Sequence, residues 1–362
     1  MELSFTSYRL NCTHPFGISR STNDYYDIVY VYLSGAGITG KGEAAPSARY
    51  GETNGRVIKQ LNCIDEVPDE FMSVEDGDIW CSDHSGGISA LQAALSTAWL
   101  DWWTQKEKVC LADYFKSEKE NMPLTSFTIS IGDLNLIPQK IAEAAPYRVL
   151  KIKLGLGLQD DQQIIKLIRA ETDKLIRVDA NEGWDLETGL TMCKWLADHH
   201  VEFVEQPFKA DNLHDTAALR KKSPLPLIAD ENSIVAANIP DIAHAFDGIN
   251  IKLMKCASLL EGKRMIDKAR NYDLQIMLGC MVESAVGITA AAHLAPQVDY
   301  ADLDGNLLID NDPYNGVQVK DGRLILPDGN GLGVGLDSIY EKTVSYTHLR
   351  AHETSLNLVC RL

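Results

Sequence analysis

Val149-Leu-Lys-Ile-Lys-Leu154 decides the fold, because this short run, rich in β-branched and apolar residues, is one of a series. Runs of the same kind occupy residues 124–129, 175–178, 201–204, 226–228, 248–251, 274–278 and 300–303. Each carries or precedes a marker residue: Thr128, Lys153, Asp179, Glu205, Asp230, Lys252, Gly279 and Asp304 in turn. The markers are spaced by 25, 26, 26, 25, 22, 27 and 25 residues, and helical patterns fill the gaps. Each step has room for one strand and one helix, so the spacing predicts an α/β chain with eight parallel strands closed into a barrel. Strand C-termini converge on one face of such a barrel. The marker residues, far apart in sequence, are therefore expected to meet in space.

Upstream, residues 28–33 read as a strand and residues 35–42 as a turn. Residues 88–103 read as a helix, with Leu91, Leu95, Trp99 and Trp102 at helical spacing. This makes an α+β unit over residues 1–120, ahead of the barrel at 121–310 and a segment at 311–344. Residues 345–362 (SYTHLRAHETSLNLVCRL) continue no strand or helix that the rest requires, and are expected to be a non-native tail.

With 34 basic and 51 acidic residues the chain carries a net charge of −17. That balance argues against nucleic acid or an anionic membrane as partner, and a small anionic substrate would need local cations. No apolar stretch is long enough to span a bilayer, and the first ten residues lack a signal-peptide core. The eight cysteines form no CxxC pair or short-range framework, which suits a reduced, cytoplasmic setting.

Asp179 (in VDAN), Glu205 (in VEQP) and Asp230 (in IADE) stand at successive strand ends. One acidic residue in such a place is ordinarily a solvated loop residue. Three at near-equal spacing on one face suit a hard cation such as Mg²⁺, which takes a few oxygen ligands and keeps positions open. Lys151 and Lys153 alternate along one strand, so both point to the same face, and Lys252 lies beyond the triad. Lysines inside the apolar runs VLKIKLG and INIKLMK depart from the usual exposed lysine. Crowded together beside a metal, their ammonium pKa values are expected to fall, as a general base near neutral pH requires. A snorkelling lysine at the barrel rim is the competing reading, and it suits Lys255 better than Lys153 or Lys252.

Two patterns are set aside. Gly35-Ala-Gly37-Ile-Thr-Gly40 matches GxGxxG, yet it leads to Gly42-Glu43-Ala44-Ala45-Pro46 with no helix start, so a hairpin turn is expected. His199-His200, His348 and His352 have no partner pattern and read as surface histidines.

Taken together, LKIKLG, VDANEGW, VEQPF, IADEN and INIKLMK resemble the muconate-lactonizing subgroup of the enolase superfamily. The resemblance implies a modified TIM barrel, (β/α)7β, under an N-terminal α+β capping domain, with the segment after the barrel returning to the cap. It implies Asp179, Glu205 and Asp230 as Mg²⁺ ligands and Lys153 and Lys252 as acid/base lysines on opposite faces of the substrate α-carbon. Lys151 would touch the substrate carboxylate. Glu182 departs from the family's frequent Gln, and Ala257-Ser258 from its frequent Gly-Gly.

Asp302 and Asp304, in Tyr300-Ala-Asp-Leu-Asp304, resemble the Asp-x-Asp pair of dipeptide epimerases, and two same-face carboxylates suit a dipeptide's α-ammonium. Thr128 and the segment from Cys280 to Val282 match positions that touch the dipeptide in such enzymes. Arg20 is similarly placed to the arginine that grips the glutamate side chain in L-Ala-D/L-Glu epimerases, where its fork suits a carboxylate. The resemblance thus implies an isomerase: a Mg²⁺-dependent dipeptide epimerase working by 1,1-proton transfer, with L-Ala-D/L-Glu from murein recycling as substrate. A homo-oligomer is compatible with it. The alternatives are a cycloisomerase or o-succinylbenzoate synthase, which would not need Asp302 and Asp304. A non-catalytic binding barrel would not need two opposed lysines. An acid-sugar dehydratase would use strand-end histidines, which are absent here.

Overall fold

The computed structural model describes residues 1–337, so the tail at 345–362, with His348 and His352, lies outside the described residues. The chain starts as an antiparallel sheet in the order β1 (Glu2–Ile18), β2 (Ser21–Gly35), β3 (Ile38–Ala44). β2 extends well beyond residues 28–33, because the polar stretch from Ser21 to Asp27 is carried by pairing with β1 rather than by burial. The helix Ser89–Lys106 lies across β3. Its Leu91, Leu95 and Trp99 are fully buried, and the Trp99 Nε1 donates to Val74 O at 3.1 Å.

The glycines of the GxGxxG-like stretch serve this packing. Ala36-Gly37 makes the hairpin turn, with Gly37 at φ +75°. A Cβ on Gly40 would fall 2.0 Å from Ala98 O, and one on Gly42 would fall 1.9 Å from Ala94 O. The helix backbone rests directly on β3 there. Gly42→Ala is accordingly expected to lower stability by about 1–3 kcal/mol, seen as a lower urea midpoint at unchanged slope. An unchanged midpoint would mean that this contact is looser than described.

Eight parallel strands follow: β4 (Ser126–Ile129), β5 (Val149–Lys153), β6 (Leu175–Asp179), β7 (Val201–Glu205), β8 (Leu227–Ala229), β9 (Gly248–Lys252), β10 (Gln275–Gly279) and β11 (Tyr300–Asp302). They pair in sequence order, with helices such as Leu158–Glu171 and Leu259–Arg270 crossing between them. A bridge between Thr125 and Ala301, with Leu303 N donating to Thr125 Oγ1 at 3.0 Å, brings the first strand to the last. This is the (β/α)7β modified TIM barrel with an N-terminal cap.

After β11 the chain runs back along the cap. Thr13 N donates to Leu308 O at 2.9 Å, Asp310 N to Asn11 O at 3.1 Å, and Leu111 N to Gly331 O at 3.0 Å. Among the described residues no helix is long and apolar enough to cross a membrane, and the seven cysteines are free. His199 is not a free surface side chain: it is half-buried, stacked on Trp195 with ring centroids 3.7 Å apart.

Candidate active site

Pairing sets the register at the strand ends. Lys153, Asp179 and Glu205 are lateral partners across β5, β6 and β7, and Gly279 of β10 pairs with both Lys252 and Asp302. Side chains that lie 20 to 30 residues apart in sequence therefore form one ring. Asp179, Glu205 and Asp230 each place an oxygen within 4.8 Å of the others, and all three are buried.

Four ammonium groups press on this triad. Lys153 Nζ lies 2.7 Å from Asp179 Oδ2, and Lys252 Nζ lies 2.7 Å from Asp230 Oδ2. Lys151 Nζ is 2.6 Å from Glu205 Oε2, 2.7 Å from Asp302 Oδ2 and 3.2 Å from Asp179 Oδ2. Its contact with Glu205 Oε2 lacks hydrogen-bond direction, so that buried oxygen has no hydrogen-bond partner. Glu205 Oε1 accepts from Asn250 Nδ2 at 2.6 Å. Lys255 is not the snorkelling rim lysine its sequence suggested. It is 2% exposed and donates to Asp230 Oδ1 at 2.5 Å, Asp230 O at 2.6 Å and Asn250 O at 3.0 Å. The short helix Leu253–Cys256, which starts immediately after β9, turns it inward.

The charges hold one another. Burial opposes the Asp179 and Asp230 carboxylates, but Lys153 and Lys151 beside the first, and Lys252 and Lys255 beside the second, hold both below the usual carboxylate range. Burial and the neighbouring Asp179 push Glu205 up to about 7. The lowered pKa values expected for the lysines depend on a metal beside them, and the carboxylates by themselves act the other way on Lys151 and Lys252. Burial lowers both, yet the carboxylates around them, led by Asp302 for Lys151 and Asp230 for Lys252, outweigh it and raise them. At Lys255 burial exceeds the pull of Asp230 and lowers the ammonium pKa.

Mg²⁺ fits this donor set: all three groups offer oxygen, they converge, and Glu205 retains a buried oxygen without a hydrogen bond. A divalent cation there would compete with the lysines for the same oxygens.

A cavity of about 710 Å³ opens above the triad between cap and barrel. Lys153, Asp230 and Lys252 reach it from the barrel floor, with Thr128, Cys280, Val282, Asp302 and Asp304 on the side of β4, β10 and β11. Arg20, Arg49 and Tyr50 reach it from the cap. Lys151, Asp179 and Glu205 lie covered, at 1% exposed or less. Asp302 also accepts from Ser126 Oγ at 2.5 Å, while Asp304 accepts from Thr128 N at 2.6 Å. Burial and the adjacent Asp302 push Asp304 up to about 7. Arg20 is already engaged, donating to Asn181 O at 2.8 Å, Glu182 Oε2 at 2.9 Å and Glu231 Oε1 at 2.9 Å.

Three further groups were not singled out in the linear reading. Glu231 lines the cavity directly after Asp230, and Arg49 joins Glu182 across the cap–barrel seam. Glu43 is buried, accepts from Ser284 N at 2.9 Å and Gly287 N at 3.0 Å, and so ties β3 to the start of the helix Ala285–Ala292. That tie fixes the chain just beyond Cys280 and Val282. The GEA run that contains Glu43 was the available hint, but its partner, the helix N-cap Ser284, lies 241 residues away.

The family described as enolase C-terminal domain-like matches residues 138–340. The chain is 37% identical, over 93% of its length and all of the relative's, to the L-Ala-D/L-amino acid epimerase of Flavobacterium johnsoniae. It is 36% identical to the L-Ala-D/L-Glu epimerase of Bacteroides thetaiotaomicron, covering 92% of this chain and 88% of the relative. The solved dipeptide epimerase of Methylococcus capsulatus, complexed with Mg and the dipeptide L-Arg-D-Lys, superposes with a TM-score of 0.84 at 27% identity, covering 92% and 98% of the two chains. The barrel, its ring of strand-end carboxylates and lysines, and these matches place the chain together: it belongs to the enolase superfamily.

Proposed function

We propose that this chain is a Mg²⁺-dependent dipeptide epimerase that inverts the α-carbon of the second residue by 1,1-proton transfer. The observation that carries the reading is the placement of Lys153 and Lys252. They end β5 and β9, flank the triad carried by β6, β7 and β8, and both reach the same cavity. Opposed bases on a shared floor suit a reaction that removes a proton from one face and returns one to the other. The dipeptides named for its relatives and neighbours support this substrate class.

Asp179, Glu205 and Asp230 would hold the cation, which when bound stabilises negative charge on the substrate carboxylate. Lys151 adds positive charge beside the same carboxylates. One of Lys153 and Lys252, as the free amine, takes the α-proton and becomes ammonium. The other, as ammonium, gives its proton to the opposite face, so charge is conserved. Asp302 and Asp304 would receive the dipeptide α-ammonium, and Thr128, Cys280 and Val282 would line its backbone. Arg20 would face the side chain of the second residue, with L-Ala-Glu from murein peptides as substrate. The cap covers the cavity and limits water.

Incubating a dipeptide library with the protein and Mg²⁺ in D₂O tests the reading, with deuterium at the second α-carbon read by mass spectrometry. No incorporation into any dipeptide would sink it. N-acetylating a good substrate is expected to cost about 1.5–3 kcal/mol in kcat/KM, since it removes the charge-assisted contact to the two aspartates. Equal turnover of the acetylated dipeptide would remove Asp302 and Asp304 from that role.

A further inference from the structure

Where the cap meets the barrel, above the lysines, four charged side chains neutralise one another. Arg20 and Arg49 come from the cap, Glu182 and Glu231 from the barrel loops after β6 and β8. Glu182 sits at the centre. Its Oε2 accepts from Arg20 Nη1 at 2.9 Å and Arg49 Nε at 3.1 Å, and its Oε1 accepts from Arg49 Nη2 and Ala210 N, each at 2.9 Å. Its backbone is in the left-handed region at φ +64°, and its N–H donates to Gln206 O at 2.9 Å. The side chain is 7% exposed. Glu182 is thus held at both its backbone and its carboxylate.

Glu231 completes the balance. One oxygen takes Arg20 Nη2 at 2.9 Å. The other, Oε2, is buried without a hydrogen-bond partner among the described residues, although Glu231 lines the cavity. Two guanidinium groups thus face two carboxylates. A substrate carboxylate reaching Arg20 must share it with both, whereas an uncharged side chain is not opposed by their charge.

We infer that Glu182 is a specificity-determining residue, tempering the preference for an anionic second residue so that uncharged side chains are also accepted. The inference rests on the dipeptide epimerase reading and names what that site discriminates. Discrimination is a difference between two affinities, and a fixed like charge beside the recognising arginine acts on only one of them. Glu182→Gln keeps length and an acceptor oxygen while removing the charge. Arg49→Gln shifts the balance the opposite way.

The test is kcat/KM for L-Ala-L-Glu and its uncharged isostere L-Ala-L-Gln, in the wild-type chain and both variants, with Mg²⁺ and low salt. In Glu182→Gln the Glu:Gln ratio is expected to rise about tenfold, the scale of one unscreened charge near a partly buried arginine. In Arg49→Gln it is expected to fall, so the inference remains testable if either variant folds poorly. Turnover of both dipeptides with ratios within about twofold of wild type in the folded variants would overturn the role of Glu182 alone. A wild-type chain that exchanges no dipeptide α-proton would remove the epimerase reading, and this inference with it.

Discussion

Lys153→Ala and Lys252→Ala are each expected to reduce epimerisation by about 10³-fold or more, toward the upper end of what a positioned acid or base contributes. Inversion needs one group to take the proton and another, across the α-carbon, to return it, so neither variant can complete the cycle. Each keeps one base, however, and that base faces the α-hydrogen of only one epimer. Separate incubation of the two epimers in D₂O should show deuterium entering one of them with Lys153→Ala and the other with Lys252→Ala. The complementary pattern distinguishes loss of a base from general damage. Removing either lysine also leaves a buried carboxylate, Asp179 or Asp230, without its 2.7 Å partner. Lys153→Met and Lys252→Met, which keep most of the stem volume, are the controls. Wild-type epimerisation by either alanine variant would defeat the two-base scheme.

Chelation is expected to abolish turnover, with Mg²⁺ restoring it. Asp179→Asn and Asp230→Asn should each cost several kcal/mol in transition-state stabilisation, about 10³-fold in kcat/KM. The change also has a readout that does not depend on catalysis. A cation bound only by the folded chain stabilises it by about 2.7 kcal/mol at 100 times its Kd, so Mg²⁺ should raise the midpoint of thermal unfolding. That rise should be lost in Asp179→Asn. Full activity in excess chelator, or the same Mg²⁺-dependent shift in the variant, would remove the triad as the metal site.

The barrel was legible because its repeat is local. Each strand is a run of three to six mostly apolar and β-branched residues, and its marker residue lies within the run or at most two positions beyond it. The triad was legible for the same reason: Asp179 and Glu205 end their strands, and Asp230 follows Ala229 directly. Parallel pairing in register then converts equal spacing into spatial proximity. β1 left a weaker trace, since its 17 residues are largely half-exposed or exposed and lack a continuous β-branched run. Its extension is set by pairing with β2, which depends on a partner rather than on composition.

Sequence by itself therefore determined the parallel barrel, the α+β unit ahead of it, and which strand ends carry carboxylates and lysines. Those features follow from hydrophobic period and spacing, which act over a few residues. Tertiary structure alone decided that Lys255 turns inward onto Asp230, that the carboxylates raise Lys151 and Lys252 against burial, and that Glu182 and Glu231 hold Arg20. Electrostatic balance depends on distances between groups brought together from across the chain, and those distances exist only once the barrel has closed and the cap has settled on it.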